Sequence, residues 1–102
     1  MKKKFFHKEV IIKRGDFSKS FIIVTNGKAI VLDSLGKNIK KEIFQYQSFG
    51  LVDVLKEKRW KNTIVSENKS EVLFISRDVL VKNIFSNRPF TSITLNLLKM
   101  AN

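Results

Sequence analysis

Short apolar runs separated by turn residues dominate the first three quarters of the chain. Residues 21–24 are Phe-Ile-Ile-Val, the dipeptide Asn26-Gly27 follows, and residues 29–32 form a second apolar run. Asn and Gly tolerate positive φ at both central positions of a two-residue turn, which makes this dipeptide a typical hairpin connection. The pattern therefore predicts a β-hairpin over residues 21–32.

Further apolar runs extend this predicted sheet. Residues 33–36 have the composition of a turn, and residues 39–44 after them have the rhythm of a strand. Residues 63–65 and 72–75 are typical of two more short strands, with a turn predicted at residues 67–70 between them. Strands that all precede the helices indicate a mainly β domain with a helical end.

The last quarter of the chain has helical spacing. Ser76 is a candidate N-cap with Asp78 in the first turn, and Leu80 and Ile84 lie four residues apart on one face. Pro89 suits the first position of a second helix. We predict helices at about 77–86 and 89–101, the second with an apolar side made by Phe90, Ile93, Leu97 and Leu98.

The length and composition indicate a single domain over residues 1–102. A chain of 102 residues buries about two thirds of its unfolded surface, which is enough for an ordinary core. The absence of cysteine excludes disulfides, cysteine zinc sites and thiol nucleophiles. The N-terminus lacks a secretory apolar core, and no segment approaches the ~20 apolar residues of a membrane span. We expect a cytoplasmic protein.

The net charge of +11 raises the question of an anionic partner. The basic residues are scattered along the chain, so we interpret most of them as solvated surface and expect no membrane partner. Phe5, Phe6 and Trp60 lie among basic residues and suggest stacking on nucleic acid, but we expect Phe5 and Phe6 to cover the core. The basic residues form three groups: Lys2, Lys3, Lys4, Lys8, Lys13 and Arg14; Lys37, Lys40 and Lys41; and Lys56, Lys58, Arg59 and Lys61.

One stretch resembles a known family signature. From Ile11, the order is an apolar pair, two basic residues, Gly15-Asp16, four spacers, four apolar residues, two polar residues and Gly27. This order resembles the first signature of the cyclic-nucleotide-binding domain family, with Ser18 in its small-residue slot. The resemblance covers about residues 9–100. It implies a jelly-roll β-sandwich (a double-stranded β-helix) over about residues 8–76, followed by two C-terminal α-helices.

In that family a short cassette between two strands holds the cyclic nucleotide. It usually opens with Phe-Gly-Glu and closes with Arg-Ser/Thr-Ala-Thr. The matching segment here is residues 48–66. The resemblance implies these pocket positions in this chain: Phe49, Gly50, Leu51, Val52, Arg59, Trp60, Lys61, Asn62 and Thr63.

The residue types at those positions fit a cyclic phosphate poorly. A buried phosphate requires a guanidinium, but Trp60 stands where the resemblance places the arginine, and Arg59 is one position away. Leu51 replaces the carboxylate that accepts the ribose hydroxyl, and Asp53 adds a negative charge nearby. Two arrangements stay open: Leu51 and Trp60 fill the pocket, or Trp60 lies on the surface of a mobile basic loop.

Catalysis has little support in the sequence. His7 is the single histidine, and neither metal-ligand spacing nor a phosphate-binding glycine loop is present. We expect no enzyme activity and no cofactor. The prediction is a stand-alone regulatory or protein-interaction module that has lost high-affinity cAMP and cGMP binding. The alternatives are an anion receptor that uses Arg59 and Lys61, or a nucleic-acid-binding protein. The second predicted helix suggests a homodimer through Phe90, Ile93, Leu97 and Leu98.

Overall fold

The computed structural model describes the backbone of residues 1–86 and the side chains of residues 1–82. Every strand pairing in this part of the chain is antiparallel. The elements are β1 (Lys2–Phe5), β2 (Val10–Ile12), β3 (Ser20–Leu32), β4 (Ile39–Ile43), β5 (Ser48–Phe49), α1 (Leu51–Leu55), β6 (Ile64–Ser76) and α2 (Arg77–Ser86).

The two long strands, β3 and β6, pair with each other along most of their length and change their outer partners halfway. The first half of β3 pairs with β5 and its second half with β4. The first half of β6 pairs with β2 and its second half with β1. One layer is therefore β4-β3-β6-β2, and the other is β5-β3-β6-β1. This is the jelly-roll β-sandwich that the resemblance implies.

The hairpin predicted at Asn26-Gly27 is wrong. Residues 20–32 form one strand, and the pairing of β3 with β6 shifts register on both sides of Asn26. Gly27 has φ +78°, so the Asn-Gly pair makes a bulge that bends the strand without reversing it. Positive φ is compatible with both structures, and the partner strand decides between them.

The turn predicted at residues 67–70 is also wrong, because β6 runs without interruption from Ile64 to Ser76. Asn68, at φ +55°, lies at the matching bend of this strand. The Ser66 hydroxyl donates to the Asn68 carbonyl at 2.8 Å and lies 2.6 Å from the Ser70 hydroxyl. The bends of β3 and β6 coincide, and together they divide the paired strands between the two layers.

The core lies between the two layers and under α1. Its fully buried side chains come from both halves of the long strands, from the end of β4 and from both helices: Phe21, Ile22, Val24, Val31, Ile43, Leu51, Val54, Ile64, Val72 and Leu80.

Helix α2 has the predicted bounds of 77–86, and the Val79 amide donates to Ser76 Oγ at 3.3 Å, as expected of an N-cap. The side chain of Ile84, the second predicted helix at 89–101 and its proposed dimer residues lie outside the described residues. The strand predicted at 39–44 is confirmed as β4. No helix within residues 1–86 is long and apolar enough to cross a membrane.

Strand β1 was not predicted, and it precedes the expected start of the β-roll at about residue 8. Phe5, its last residue, is buried against Phe74, with ring centroids 6.2 Å apart. Phe6 is 68% exposed, so the expectation that it covers the core is wrong. Lys2, Lys3 and Lys4 lie on this outer strand, where lysines discourage pairing with another chain.

Replacement of Gly27 by Ala tests the bend. A Cβ at Gly27 would lie 2.5 Å from the Lys69 carbonyl oxygen and 3.0 Å from Ser70 Cα, which are backbone atoms that cannot move aside. We expect Gly27→Ala to lower the free energy of unfolding by about 3 kcal/mol in urea denaturation. Gly36→Ala is the matched control, since Gly36 has φ +72° and nothing within 4 Å of a Cβ, and its cost should be about 1 kcal/mol. Equal losses in the free energy of unfolding for Gly27→Ala and Gly36→Ala would contradict the close approach of β3 and β6 at Gly27.

The pH dependence of stability tests the turn that the sequence predicts at residues 33–36. Asp33 Oδ1 accepts hydrogen bonds from the Lys37 and Leu35 amides at 3.0 and 3.1 Å. The Lys37 amide makes the largest contribution to lowering the pKa of Asp33 below its ordinary value of 3.8. The contribution of the charged form to stability is therefore present above pH 3.8 and is lost as the pH falls through the lower folded-state pKa. We expect Asp33→Asn to melt below the unmodified chain at neutral pH, with a gap that narrows in acid; a pH-independent gap would contradict this role.

Candidate functional site

The candidate site is built around Gly50, at the corner where β5 meets α1. Gly50 is the N-cap of α1 and has φ +92°, a conformation that favours glycine. The corner turns the helix so that Leu51 and Val54 point into the core, where both are fully buried. Val52 points outward and is 36% exposed.

Trp60 lies inside the sandwich against this corner. Its side chain is only 6% exposed, and its ring stacks with Phe49 at a centroid separation of 6.3 Å and an interplanar angle of 25°. A Cβ on Gly50 would lie 2.2 Å from Cη2 of the indole. The ring therefore occupies the space that a side chain at residue 50 would need. The alternative of a surface-exposed Trp60 is wrong.

The main chain around Trp60 is paired with the turn at Gly15-Asp16. The Gly15 amide donates to the Trp60 carbonyl, and the Trp60 amide donates to the Asp16 carbonyl, each at 2.9 Å. Phe17 and Arg59 form an antiparallel bridge beside these bonds. Trp60 is thus held from two sides, by its ring contacts and by its backbone.

Ser18 extends this connection to α1. Its amide donates to the Lys58 carbonyl at 3.1 Å, and its hydroxyl lies within hydrogen-bonding distance of the Asp53 and Lys58 carbonyls. Ser18 is 5% exposed, so a small side chain is needed at this position. The small-residue slot of the sequence signature indicated the need for a small side chain at Ser18. Nothing in the sequence showed which carbonyls the Ser18 hydroxyl would contact.

Arg59 points away from Gly50. Its guanidinium lies 3.8 Å from the centroid of the exposed Phe17 ring, and Nη1 donates to the Gly15 carbonyl at 2.8 Å. Lys61 is exposed. Arg59 and Lys61 therefore do not join Phe49, Gly50, Leu51 and Trp60, which the structure does bring together.

Asn62 and Thr63 serve a different part of the fold. Asn62 Nδ2 donates to the Leu32 carbonyl at 2.8 Å, and the Leu32 amide donates to the Thr63 carbonyl at 2.9 Å. Thr63 Oγ1 accepts from the Arg14 amide at 3.2 Å. These residues tie the start of β6 to the ends of β2 and β3.

The chemistry available at the corner is apolar. Trp60, Phe49 and Leu51 surround Gly50, and none of them carries a charge. Within the part of the chain that the structure describes, no three His, Cys, Asp or Glu side chains are grouped to hold a metal ion. These three side chains offer packing, and none of them is a nucleophile, an acid or a base.

The profile of the family described as "Cyclic nucleotide-binding domain" matches residues 2–87. The chain belongs to the cyclic nucleotide-binding domain family. Residues 48–66, where the resemblance places the family's cassette, include the Gly50 corner and α1.

Individual relatives agree with this assignment. Lysophospholipase NTE1 of Candida albicans is 33% identical over 78 residues, which are 70% of this chain and only 6% of that protein. The N-terminal domain of a transcriptional regulator from Streptomyces coelicolor A3(2) superposes with a TM-score of 0.81 at 13% identity, covering 97% of this chain and 73% of that one.

A third relative was solved with its ligand. The regulatory domain of Toxoplasma gondii PKA with cAMP superposes with a TM-score of 0.73 at 18% identity, covering 93% of this chain and 38% of that one. At these identities the superpositions show a shared fold.

A double-mutant cycle tests the contact between Trp60 and Gly50. Gly50→Ala forces the indole to move, so we expect a loss of about 3 kcal/mol in the free energy of unfolding, measured by urea denaturation with circular dichroism. With Trp60→Ala already present, the same change should cost only about 1 kcal/mol, the cost of positive φ.

Gly15→Ala is the matched control for this cycle. Gly15 has φ +93° against +92° for Gly50, but nothing lies within 4 Å of a Cβ there. Its cost should be about 1 kcal/mol with or without Trp60. If the losses in the free energy of unfolding caused by Gly50→Ala and Trp60→Ala simply add in the double variant, the indole does not contact residue 50 as the structure shows.

Proposed function

We propose that this chain is a non-catalytic regulatory domain whose nucleotide site is filled by its own Trp60, so that it does not bind cAMP or cGMP with high affinity. The observation that carries the proposal is the position of the Trp60 ring, buried against Gly50 and stacked on Phe49. The ring stands at the corner where the family places its ligand cassette.

The missing polar groups support this proposal. The fully buried Leu51 stands where a ribose hydroxyl would need an acceptor. The position of the phosphate-binding arginine is occupied by Trp60, which offers no charge to a buried phosphate. A nucleotide in this corner would leave its polar groups unpaired.

The cost of moving Trp60 adds to that loss. Exposing a large buried aromatic side chain costs about 3 kcal/mol, which reduces an apparent affinity about 100-fold. Displacement of the ring and the absence of charge pairing therefore both lower the expected affinity for a nucleotide.

The alternative anion receptor uses Arg59 and Lys61 in a rearranged loop. Arg59 already stacks on Phe17 and donates to Gly15, so its recruitment to a ligand requires the loss of both contacts. The self-filled site needs no rearrangement, which is why we favour it.

A domain whose site is filled by its own side chain does not change conformation in response to a nucleotide. We infer a role as a protein-interaction module, in which the fixed relation between α1, α2 and the sandwich is recognised by a protein partner. The homodimer through Phe90, Ile93, Leu97 and Leu98 and the cytoplasmic location stay predictions.

Titration with both messengers tests the proposal. Trp60 is the single tryptophan, so its emission reports directly on this site. We expect no binding heat with cAMP or cGMP up to about 100 µM, and an unchanged emission maximum typical of a buried indole. Micromolar binding by the unmodified chain would show that the proposal is wrong.

A gain-of-binding variant provides the complementary test. Leu51→Glu with Trp60→Arg restores the carboxylate and guanidinium and removes the ring, so we expect binding of cAMP or cGMP to appear in the micromolar range. The matched control, Leu51→Glu with Trp60→Leu, opens similar space without the guanidinium and should bind neither. Thermal melting monitored by circular dichroism confirms that both variants are folded.

A further inference from the structure

Basic residues that are far apart in the sequence meet at one end of the sandwich. We call this end the basic tip and define it by Lys13, Arg14, Lys37, Lys40 and Lys61, together with the apolar residues Leu35 and Ile39. Its members come from the segment after β2, the β3–β4 turn with the start of β4, and the segment before β6. Each of the three basic groups in the sequence contributes at least one residue.

Hydrogen bonds hold these three segments together. Arg14 Nη1 donates to the Ser34 carbonyl at 2.8 Å, which joins the end of β2 to the β3–β4 turn. The Arg14 amide donates to Thr63 Oγ1 at 3.2 Å, and Asn62 Nδ2 donates to the Leu32 carbonyl at 2.8 Å. The basic tip is therefore one connected surface.

Two aliphatic side chains project from this surface. Leu35 is 76% exposed at the apex of the turn, and Ile39 is 61% exposed at the start of β4. Gly36, beside Leu35, would have nothing within 4 Å of a Cβ, so the space next to this position of the turn is open. The apex is convex and apolar, with cations around it.

The charge of the basic tip is largely uncompensated. Residues 13–16, 33–40 and 61–63, which form the basic tip, contain five basic residues and two acidic ones, Asp16 and Asp33. The Asp33 carboxylate is directed to the turn, where it accepts hydrogen bonds from the Leu35 and Lys37 amides and from Asn38 Nδ2. Within residues 1–82, whose side chains the structure describes, Lys37, Lys40 and Lys61 form no ion pair.

We propose that the basic tip docks this domain on an anionic lipid bilayer, with Leu35 and Ile39 inserted among the headgroups and acyl chains. Apolar side chains surrounded by lysine and arginine match the layered chemistry of such a surface. An aliphatic apex does not stack on bases, which disfavours nucleic acid. A narrow convex turn also offers little area to a folded protein.

This proposal replaces the expectation of no membrane partner, which depended on the scatter of basic residues along the sequence. It is independent of the state of the nucleotide site, because the basic tip includes neither Trp60 nor Gly50. Strand β1 carries a separate cluster of lysines, but there Lys2 lies 3.9 Å from the Glu71 carboxylate.

Vesicle co-sedimentation tests the proposal on the full chain. We expect binding to phosphatidylcholine vesicles containing about 30% phosphatidylserine at about 0.1 M salt, and none to pure phosphatidylcholine. Lys37→Gln, Lys40→Gln and Lys61→Gln together should weaken binding about 100-fold. Leu35→Ser alone should weaken it about tenfold, since insertion of the apex is lost.

The matched control removes the same number of charges elsewhere. Lys2→Gln, Lys3→Gln and Lys4→Gln together should leave vesicle affinity within about threefold of the unmodified chain. Equal losses in the two triple variants, an unchanged affinity of Leu35→Ser, or no binding to anionic vesicles would each overturn the proposal.

A labelled single-stranded oligonucleotide distinguishes the two anionic partners. The membrane proposal is wrong if the oligonucleotide and the vesicles compete for the chain, bind it with equal affinity, and keep that affinity in Leu35→Ser. The basic tip would then recognise phosphate charge alone. Circular dichroism melting of each variant establishes that the compared proteins are folded, because all the substituted residues except those of β1 lie in exposed turns or at strand ends.

Discussion

The contact between the Trp60 ring and Gly50 is the constraint on which the site depends. It requires a residue without Cβ at the start of α1, and Gly50 meets this requirement together with the positive φ of the corner. The same ring stacks on Phe49, while the Trp60 backbone pairs with the turn at Gly15-Asp16. One residue, through its ring and its backbone, therefore joins β5, α1 and the segment between β2 and β3. The Trp60 ring is thereby a part of the core.

The bends of β3 and β6 play the corresponding role for the sandwich. A straight pair of 13-residue strands would make one flat layer, and the coincident bends at Gly27 and Asn68 let the halves of each strand belong to different layers. The core between the layers then buries side chains from both halves of both strands. The short strands β2 and β5 are placed by their pairing with these long strands, and so the Gly50 corner follows from the bends as well.

The basic residues that are scattered along the sequence have different surroundings in the folded chain. Some lysines lie on the outer strand β1, where they prevent pairing between sheets, and Lys28 lies within ion-pair distance of Glu42 and Glu67 at 3.2 and 2.6 Å. The hydrogen bonds that the Lys28 ammonium donates to these two carboxylates, that to Glu67 first, raise the pKa of Lys28 above its ordinary value. The basic tip is different, because its cations gather around exposed aliphatic residues with little acidic compensation. The excess of lysine thus has several local causes.

The sequence by itself determined the mainly β class, the family and the first C-terminal helix with its Ser76 cap. It also showed that Trp60 and Leu51 stand at the positions where the resemblance implies an arginine and a carboxylate. These features depend on local propensity or on residue identity at fixed spacing, which are legible along one chain. Only the tertiary structure decided that Asn26-Gly27 bends a strand without reversing it, that Phe6 is exposed while Phe5 is buried, and that Trp60 turns inward while Arg59 turns outward. It alone assembled the basic tip from three distant segments. Each of these outcomes depends on which strand or ring lies opposite a residue, and that pairing is a property of the folded chain that local sequence does not contain.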